Sequence, residues 1–375
     1  MFEIWNKDII HQLLQSDLED WFDVLNNGLV EDRGFSLSDP NIDEIRQEIK
    51  QDYLTYITSL VDDKDFYSYY VYRNEIDKIV SVSRIVKHES KYFLEGLETH
   101  RDYYQKGYST KLVESVIQNL SRDNIEIIYS KVRNHNKPSF SFHLKFGFSE
   151  VESDTYNTIF SLNIDMYLRK ILFNNWSSTY NKSVEKSDKE NTYPFAGYSK
   201  IQDYIFNRCR EIPNAKILEM GIGTGLMTYK LYGLEYNITG VDLSEKMIEE
   251  AKKLMPLNKY ILSDFKSVDD KLGINNYDII IFSYSIHHMK PINQKWLLDN
   301  LSNRLSDNGL IIIGDVLTST NEEMKKIAIE NENIWDDEEY YPTYETYLNP
   351  VLKQHYEISF KPISFCSGVM ELRKK

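Results

Sequence analysis

Glu219-Met-Gly-Ile-Gly-Thr-Gly225 follows directly on the apolar stretch Ala215-Lys-Ile-Leu218. A buried strand that runs into closely spaced glycines and then a helix lets the backbone approach a bulky nucleoside without Cβ atoms in the way. A dinucleotide fingerprint would read Gly-x-Gly-x-x-Gly. Here Leu226 stands at the third glycine position, and the glycines fall at Gly221, Gly223 and Gly225 behind the acid Glu219. Thr239-Gly-Val-Asp-Leu243 then reads as a second short strand ending in a carboxylate. At that separation an acid accepts hydrogen bonds from both ribose hydroxyls, so Asp242 is the expected ribose ligand, with Leu243 beside it. Ser244 is placed to cap a helix from Glu245 to Leu254, and Met247 on its first turn to pack on an adenine.

Tyr277 to Ser283 is a near-continuous β-branched and apolar run and predicts a buried parallel strand. Tyr284-Ser-Ile-His-His-Met289 stands just past its C-terminal end, the edge where open α/β sheets bind ligands. Adjacent histidines point apart on regular elements, and no Cys, Asp or Glu sits at ligand spacing from His287 and His288, so no metal site is expected.

The acid followed by three alternating glycines resembles motif I of the class I S-adenosylmethionine (SAM) methyltransferases. The resemblance runs from about residue 171 to 375 and is to the small-molecule branch of that family. It implies SAM as cofactor, with Glu219, Gly221, Gly223, Gly225, Asp242, Leu243, Met247 and Ser283 lining the cradle. Asp264 and Phe265 fall where the family holds the adenine amino group and ring. Trp176 to Tyr198 is similar to the cofactor-covering helices, which makes Tyr180 and Tyr198 cofactor contacts; ordinary aromatic packing with Phe195 is the other reading. His287 takes the place between cofactor and acceptor, either as a proton acceptor or as a pocket wall.

Upstream, Phe66 to Tyr72 and Lys78 to Val86 read as paired strands, and Tyr92 to Thr99 as a third. The third runs through Tyr103-Tyr-Gln-Lys-Gly-Tyr-Ser-Thr110 into an amphipathic helix from Ser109 to Leu120. Free N–H groups at such a helix start suit a pyrophosphate. This arrangement resembles motif A of the GNAT acetyltransferases, with Tyr104 and Ser109 departing from the family's Arg/Gln-x-x-Gly-x-Gly/Ala. A strand from Ile125 to Val132, then Asn136-Lys-Pro-Ser139 and Phe142 to Phe148, continues the resemblance, which covers about residues 1 to 165. It implies acetyl-CoA held by Leu97, Thr99, Gln105, Lys106, Gly107, Tyr108, Ser109, Thr110, Asn136 and Ser139. Where the family has a Tyr acid for the departing thiolate, this chain has His143, either as that acid or as a helix-packing histidine. Glu98 or Glu95 would take the amine proton; a period of two sets them on opposite faces, and Glu98 is nearer the loop.

These segments predict two α/β domains: a GNAT-like mixed sheet over residues 1–170 and a doubly wound, Rossmann-like sheet over 171–375. The polar segment Asn174 to Thr192 is expected to hold the linker, Lys295 to Leu305 a helix, Asn308 to Asp315 a strand, and Tyr356 to Leu372 a closing antiparallel pair. A formal net charge of −14 argues against a nonspecific nucleic-acid groove. Two cysteines, Cys209 and Cys366, fit a reducing cytoplasm, and no apolar stretch reaches bilayer length. The expectation is a soluble, cytoplasmic, bifunctional enzyme that methylates a small-molecule acceptor and N-acetylates an amine. Two alternatives stand beside it: a methyltransferase whose GNAT-like half only binds acyl-CoA or substrate, and a modifier of a protein partner.

Overall fold

The computed structural model describes every residue except Leu14, Asp63, Lys64, Glu235 and Asn275, and it divides the chain into Met1–Leu168 and Arg169–Lys375. Each unit holds its own seven-stranded sheet.

The first sheet comprises β1 (Phe2–Trp5), β2 (Phe66–Arg73), β3 (Ile79–His88), β4 (Lys91–Thr99), β5 (Ile127–Arg133), β6 (Ser149–Ser153) and β7 (Asn157–Asn163), in the order β1-β2-β3-β4-β5-β7-β6. The helix Tyr108–Arg122 turns Leu112, Val113, Val116, Ile117 and Leu120 onto one face of it, at the spacing of a single helical stripe. The other face carries Trp5, Tyr69, Val71 and Val82, which pack with Trp21 of the helix Gln15–Asp32 as a second core cluster. The helices Gln15–Asp32 and Ile42–Val61 precede β2 and correspond to no motif recognised in the sequence.

All pairs in this sheet are antiparallel except β4 with β5. That parallel ladder covers only Tyr92↔Ile128 and Phe93↔Tyr129, while β5 stays paired with β7 as far as Arg133. From Leu94 onward the two strands part, which opens a cleft between them. On the opposite edge of β4, the register to β3 shifts between Val82↔Glu98 and Arg84↔Glu95. Gly96, at φ 57°, sits in the resulting bulge. Glu95 and Glu98 therefore lie opposite Arg84 and Val82, two positions of one face. The strict alternation expected from the sequence fails here because the bulge adds a residue.

The second sheet comprises β8 (Lys216–Met220), β9 (Asn237–Asp242), β10 (Lys259–Leu262), β11 (Tyr277–Ser283), β12 (Leu305–Val316), β13 (Tyr356–Pro362) and β14 (Ser367–Lys374). Its order is β10-β9-β8-β11-β12-β14-β13, parallel through β12 and closed by an antiparallel pair. Chain order reverses between β8 and β11, so their C-terminal ends form the crevice of a doubly wound sheet. Both faces are covered, and the central strands are accordingly apolar throughout, with Ile279 to Phe282 and Leu310 to Ile313 fully buried.

Two sequence expectations shift. The segment Asn174 to Thr192, expected to hold the linker as well as part of the cofactor-covering helices, is largely helical: Tyr180–Glu190 is a helix that buries Val184 and Ser187. The helix expected at Lys295 to Leu305 runs instead over Pro291–Leu301, because Pro291 opens it at the first turn. A single 3-10 turn, Ser302–Arg304, then leads into β12.

Candidate functional site

In the Arg169–Lys375 unit, the glycine loop leaves the C-terminal end of β8 and is pinned to the next strand by Gly221 and Ile222 N–H groups donating to Val241 O at 2.8 and 2.9 Å. Gly221, Gly223 and Gly225 all have positive φ. An added Cβ on Gly221 would stand 2.5 Å from Ser285 Cβ, and one on Gly225 2.6 Å from Met255 Cε. A Cβ added on Gly223 would meet no atom of the described residues within 4 Å, so that side of the loop faces open space.

Asp242, at the end of β9, accepts from Gly223 N–H and Ser244 N–H, both at 2.8 Å. Burial lifts its carboxyl to about 6, against the pull of those N–H groups. Glu219 is also buried and accepts from the Thr228 hydroxyl at 2.7 Å. Burial first, and the Asp242 charge in addition, lift it to about 8. Ser244 caps the helix Glu245–Leu254 by accepting from Met247 N–H at 3.1 Å; Met247 itself is buried and Leu243 half-buried.

Asp264 accepts from Lys266 and Ser267 N–H in a tight turn, and Phe265 packs edge-on against Phe282. Phe265 Cζ lies 3.4 Å from the place a Gly221 Cβ would take, which puts this ring beside the glycine loop. Ser283 Oγ and the Tyr284 hydroxyl are buried with no partner among the described residues. Tyr284 also holds φ 50°, a conformation that costs a non-glycine residue about 1–3 kcal/mol. Tyr180 and Tyr198 both pack edge-on against Phe195, and Tyr198 in turn packs against Tyr284. Burial holds both tyrosine hydroxyls well above their ordinary range. The chain before β8 reaches the loop directly: Asn181 Oδ1 accepts from Thr224 Oγ1, and Asn174 Oδ1 from Ser244 Oγ, each at 2.7 Å.

The two histidines lie in a 3-10 turn, Ile286–His288, with ring centroids 4.1 Å apart. His287 Nδ1 donates to Asp315 Oδ1 at 2.6 Å, and His288 Nδ1 donates to Glu339 at 2.8 Å. Burial lowers both imidazoles. For His287 the carboxylates of Asp315 and Glu339 outweigh it and the net shift is upward; His288, facing the charge of His287, stays lowered. Burial raises Glu339, but the two histidines pull it down to about 2. The expectation that no carboxylate accompanies this pair is thus corrected: Glu339 arrives from 51 residues beyond His288, and Asp315 from the neighbouring strand end. Sequence spacing gave no sign of Glu339, since only the return of the chain brings it near. Asp315 carries a signal of its own in the sequence, a carboxylate near the end of a buried strand.

In the Met1–Leu168 unit, β4 ends in Thr99, whose hydroxyl lies 2.7 Å from Ser109 Oγ and 3.0 Å from Ser81 Oγ, tying the strand to the start of the next helix. Gln105 and Gly107 take positive φ and swing the chain into that helix, which Gly107 opens with no side-chain cap. The first-turn N–H groups of Tyr108, Ser109 and Thr110 have no acceptor within the helix. Lys106 Nζ donates back to Asp102 O at 2.9 Å, and Tyr104 is exposed. Leu97 lies on the part of β4 beyond its parting from β5.

Asn136 Oδ1 accepts from Ser139 N–H at 3.1 Å and so caps the helix Lys137–Phe146. His143 is 2% exposed, within reach of no solvent. Its Nδ1 donates to Ser139 O at 2.7 Å, its Nε2 lies 2.9 Å from Ser130 Oγ, and its ring stacks on Phe160. Burial lowers its pKa, and with both nitrogens engaged inside the fold it is placed as the helix-packing histidine, the second of the two roles the sequence left open. Glu95 is paired with Arg84 at 3.1 Å, whereas Glu98, further toward the loop, lies opposite Val82.

Cys209 and Cys366 are both buried thiols, and no described helix is long and apolar enough to cross a membrane.

Residues 29–148 match the acetyltransferase (GNAT) family, and residues 217–309 match a methyltransferase domain family. An uncharacterized methyltransferase of Bacillus licheniformis is 29% identical over 211 residues, spanning 54% of this chain and 96% of the relative. Another, from Oceanobacillus iheyensis, is 24% identical over 54% of this chain and 96% of its own. Among solved structures, PaiA N-acetyltransferase from Thermoplasma acidophilum in complex with coenzyme A aligns over 44% of this chain and 99% of its own, at 19% identity and a TM-score of 0.33. Magnesium protoporphyrin IX methyltransferase from Synechocystis with bound SAM aligns over 56% and 97%, at 15% identity and a TM-score of 0.40. Both halves of the chain are of transferase type: a GNAT domain precedes a methyltransferase domain.

Proposed function

We propose that the chain is a bifunctional transferase, moving a methyl group from SAM to a small-molecule acceptor in its C-terminal half and an acetyl group from acetyl-CoA to an amine in its N-terminal half. The observation that carries the first activity is the buried Asp242 carboxylate beside the open middle of the glycine loop. Its two oxygens are held by Gly223 and Ser244 N–H groups and keep lone pairs for the ribose hydroxyls. Phe265 gives the adenine a ring to pack on, and the buried Ser283 hydroxyl at the end of β11, without a partner among the described residues, offers a further polar contact at the same sheet edge. The site residues fit a SAM molecule in this way; when bound, it supplies an electrophilic methyl group on a sulfonium. The chain's own contribution is alignment: methyl transfer is an in-line displacement in which positioning does most of the work. His287, oriented by Asp315, presents Nε2 to the space it shares with His288 and Glu339, where the acceptor would stand.

For acetyl transfer, the cleft between the parted β4 and β5 leaves backbone groups of Leu97 to Thr99 for the thioester carbonyl. The free N–H groups of Tyr108 to Thr110 suit the pyrophosphate, with Gln105, Lys106 and Gly107 forming the loop around it. Glu98 is the proton acceptor for the amine.

Isothermal titration of SAM into the wild type and Asp242→Ala tests the first activity, and unchanged affinity would remove the assignment. One observation favours a second reading of the N-terminal half, as an acyl-CoA-binding module without turnover: His143 is sealed in the core. Acetyl-CoA binding together with thiol release across a panel of amines separates the two. Binding with no turnover on any amine selects the module. Labelled SAM in a lysate, traced to polymer or small-molecule fractions, distinguishes a protein acceptor.

A further inference from the structure

We propose that His287, His288 and Glu339 form a site for one divalent transition-metal ion of the zinc type, with an open coordination position for a hydroxyl group of the acceptor. One ligand atom from each of the three residues lies within 4.8 Å of the others. His287 Nε2 and Glu339 Oε2 are 3.5 Å apart. Tetrahedral zinc, with bonds of about 2.0–2.1 Å, sets neighbouring ligand atoms about 3.3–3.4 Å apart. The His288–Glu339 contact, 2.8 Å, is a hydrogen bond whose proton the ion would replace, with the two atoms moving apart by about half an ångström to the same spacing.

The surroundings are built as metal sites are. Asp315 Oδ1 accepts a hydrogen bond from His287 Nδ1–H, which fixes the tautomer and leaves the Nε2 lone pair toward Glu339. Tyr340 N–H, next to Glu339, donates to His287 O at 2.8 Å. The buried Gln294 amide donates its two N–H groups to Met289 O at 2.9 Å and Tyr340 O at 2.7 Å, with Ile286 O a longer shared contact at 3.2 Å, and accepts from the Tyr347 hydroxyl at 2.8 Å. One side chain thus clamps the histidine turn to the segment that carries the carboxylate, so the three ligands are placed before any ion arrives. Two imidazoles and a carboxylate with one position left are the donor set of catalytic zinc; magnesium and calcium prefer oxygen ligands throughout. Phe173 against His288 and Tyr341 against His287 shield the cluster. Asp315 and Glu339 together bring two carboxylates, whose charge a dication matches.

The hydroxyl position rests on the methyl-transfer reading above; the metal site does not. On coordination the hydroxyl would lose its proton to solvent. Its oxygen would then bond to the methyl carbon while the carbon–sulfur bond breaks and leaves its electron pair on the sulfur.

The test uses the full chain, free of any histidine tag, stripped with a chelator and dialysed. Cobalt(II) is titrated by its visible absorption, and zinc by competition with a chromophoric chelator. One ion per chain is expected, with affinity reduced about 100-fold or more in His288→Ala and in Glu339→Gln, and about 10- to 100-fold in Asp315→Asn. Circular dichroism checks the fold of each variant, and the nearly isosteric Glu339→Gln decides if His288→Ala does not fold. SAM affinity is measured by calorimetry on the same preparations. No stoichiometric ion, or an affinity unchanged in His288→Ala and Glu339→Gln, overturns the site even where SAM binds. An ion that binds where SAM does not upholds the site and sinks the methyl-transfer reading instead.

Discussion

A Cβ added at Gly107 would meet nothing within 4 Å, whereas one at Gly221 would run into Ser285 Cβ at 2.5 Å and one at Gly225 into Met255 Cε at 2.6 Å. Both turns carry the chain from a strand into a helix or loop that is read as a cofactor cradle. The first needs glycine only for its backbone, with φ 81°. The second needs it for backbone and for space, because its own protein crowds it from below while Gly223 stays open above. The histidines of the two halves differ in a parallel way. His143 has both nitrogens taken by its own helix and strand and an aromatic ring against it. His287 has one nitrogen fixed by a carboxylate and the other turned toward a cluster. A residue type shared between two sites therefore says little until the neighbours are known.

The difference between the glycines gives the largest expected effect. Gly221→Ala should destabilise the C-terminal half by about 2–5 kcal/mol, from left-handed strain and overpacking together. Thermal unfolding measures it, and a loss as small as at Gly107 would show that Ser285 yields freely. His143→Ala should cost about 2–4 kcal/mol, as deletion of a buried ring does. A variant of full stability that has lost only acetyl transfer would restore His143 as the acid.

Asp242→Ala should weaken SAM binding by about 1.5–3 kcal/mol for each charged hydrogen bond lost. The wild type should lose SAM affinity as pH falls through about 6, where this carboxyl takes up its proton. The stability contribution of the same group runs the other way. Its folded pKa lies above the ordinary value, so its contribution grows as pH falls through about 6 and is lost again as pH rises. Calorimetric affinity and unfolding temperature recorded across that window should diverge; parallel loss of both would mean general acid unfolding. The smallest effect belongs to Gly107→Ala, about 1–2 kcal/mol from φ alone.

Much of this was legible in the sequence because the signals were local. Tyr277–Ser283 and Glu245–Leu254 are the strand and helix that periodicity and the Ser244 cap predict. The glycines, Asp242 and the histidine turn all lie at one sheet edge, as the order of strands requires. Three things were hidden. The Gly96 bulge reverses the facing of Glu98 relative to Glu95, and a period of two contains no trace of it. The polar helix Tyr180–Glu190 buries little more than Val184 and Ser187, so its composition resembles a linker and only the family resemblance of Trp176 to Tyr198 indicated a helix there. Glu339 and Gln294 act through contacts with distant segments, which no spacing along the chain encodes.

Glu219 and Asp242 place two buried carboxyls under one loop, lifted to about 8 and about 6. At neutral pH the first holds its proton for most of the time and the second does so for a small part. A cation settling above them favours the ionised forms, so binding would release protons in a fractional, pH-dependent number. The measured heat of SAM binding would then depend on the ionisation enthalpy of the buffer, and its slope across buffers counts those protons directly.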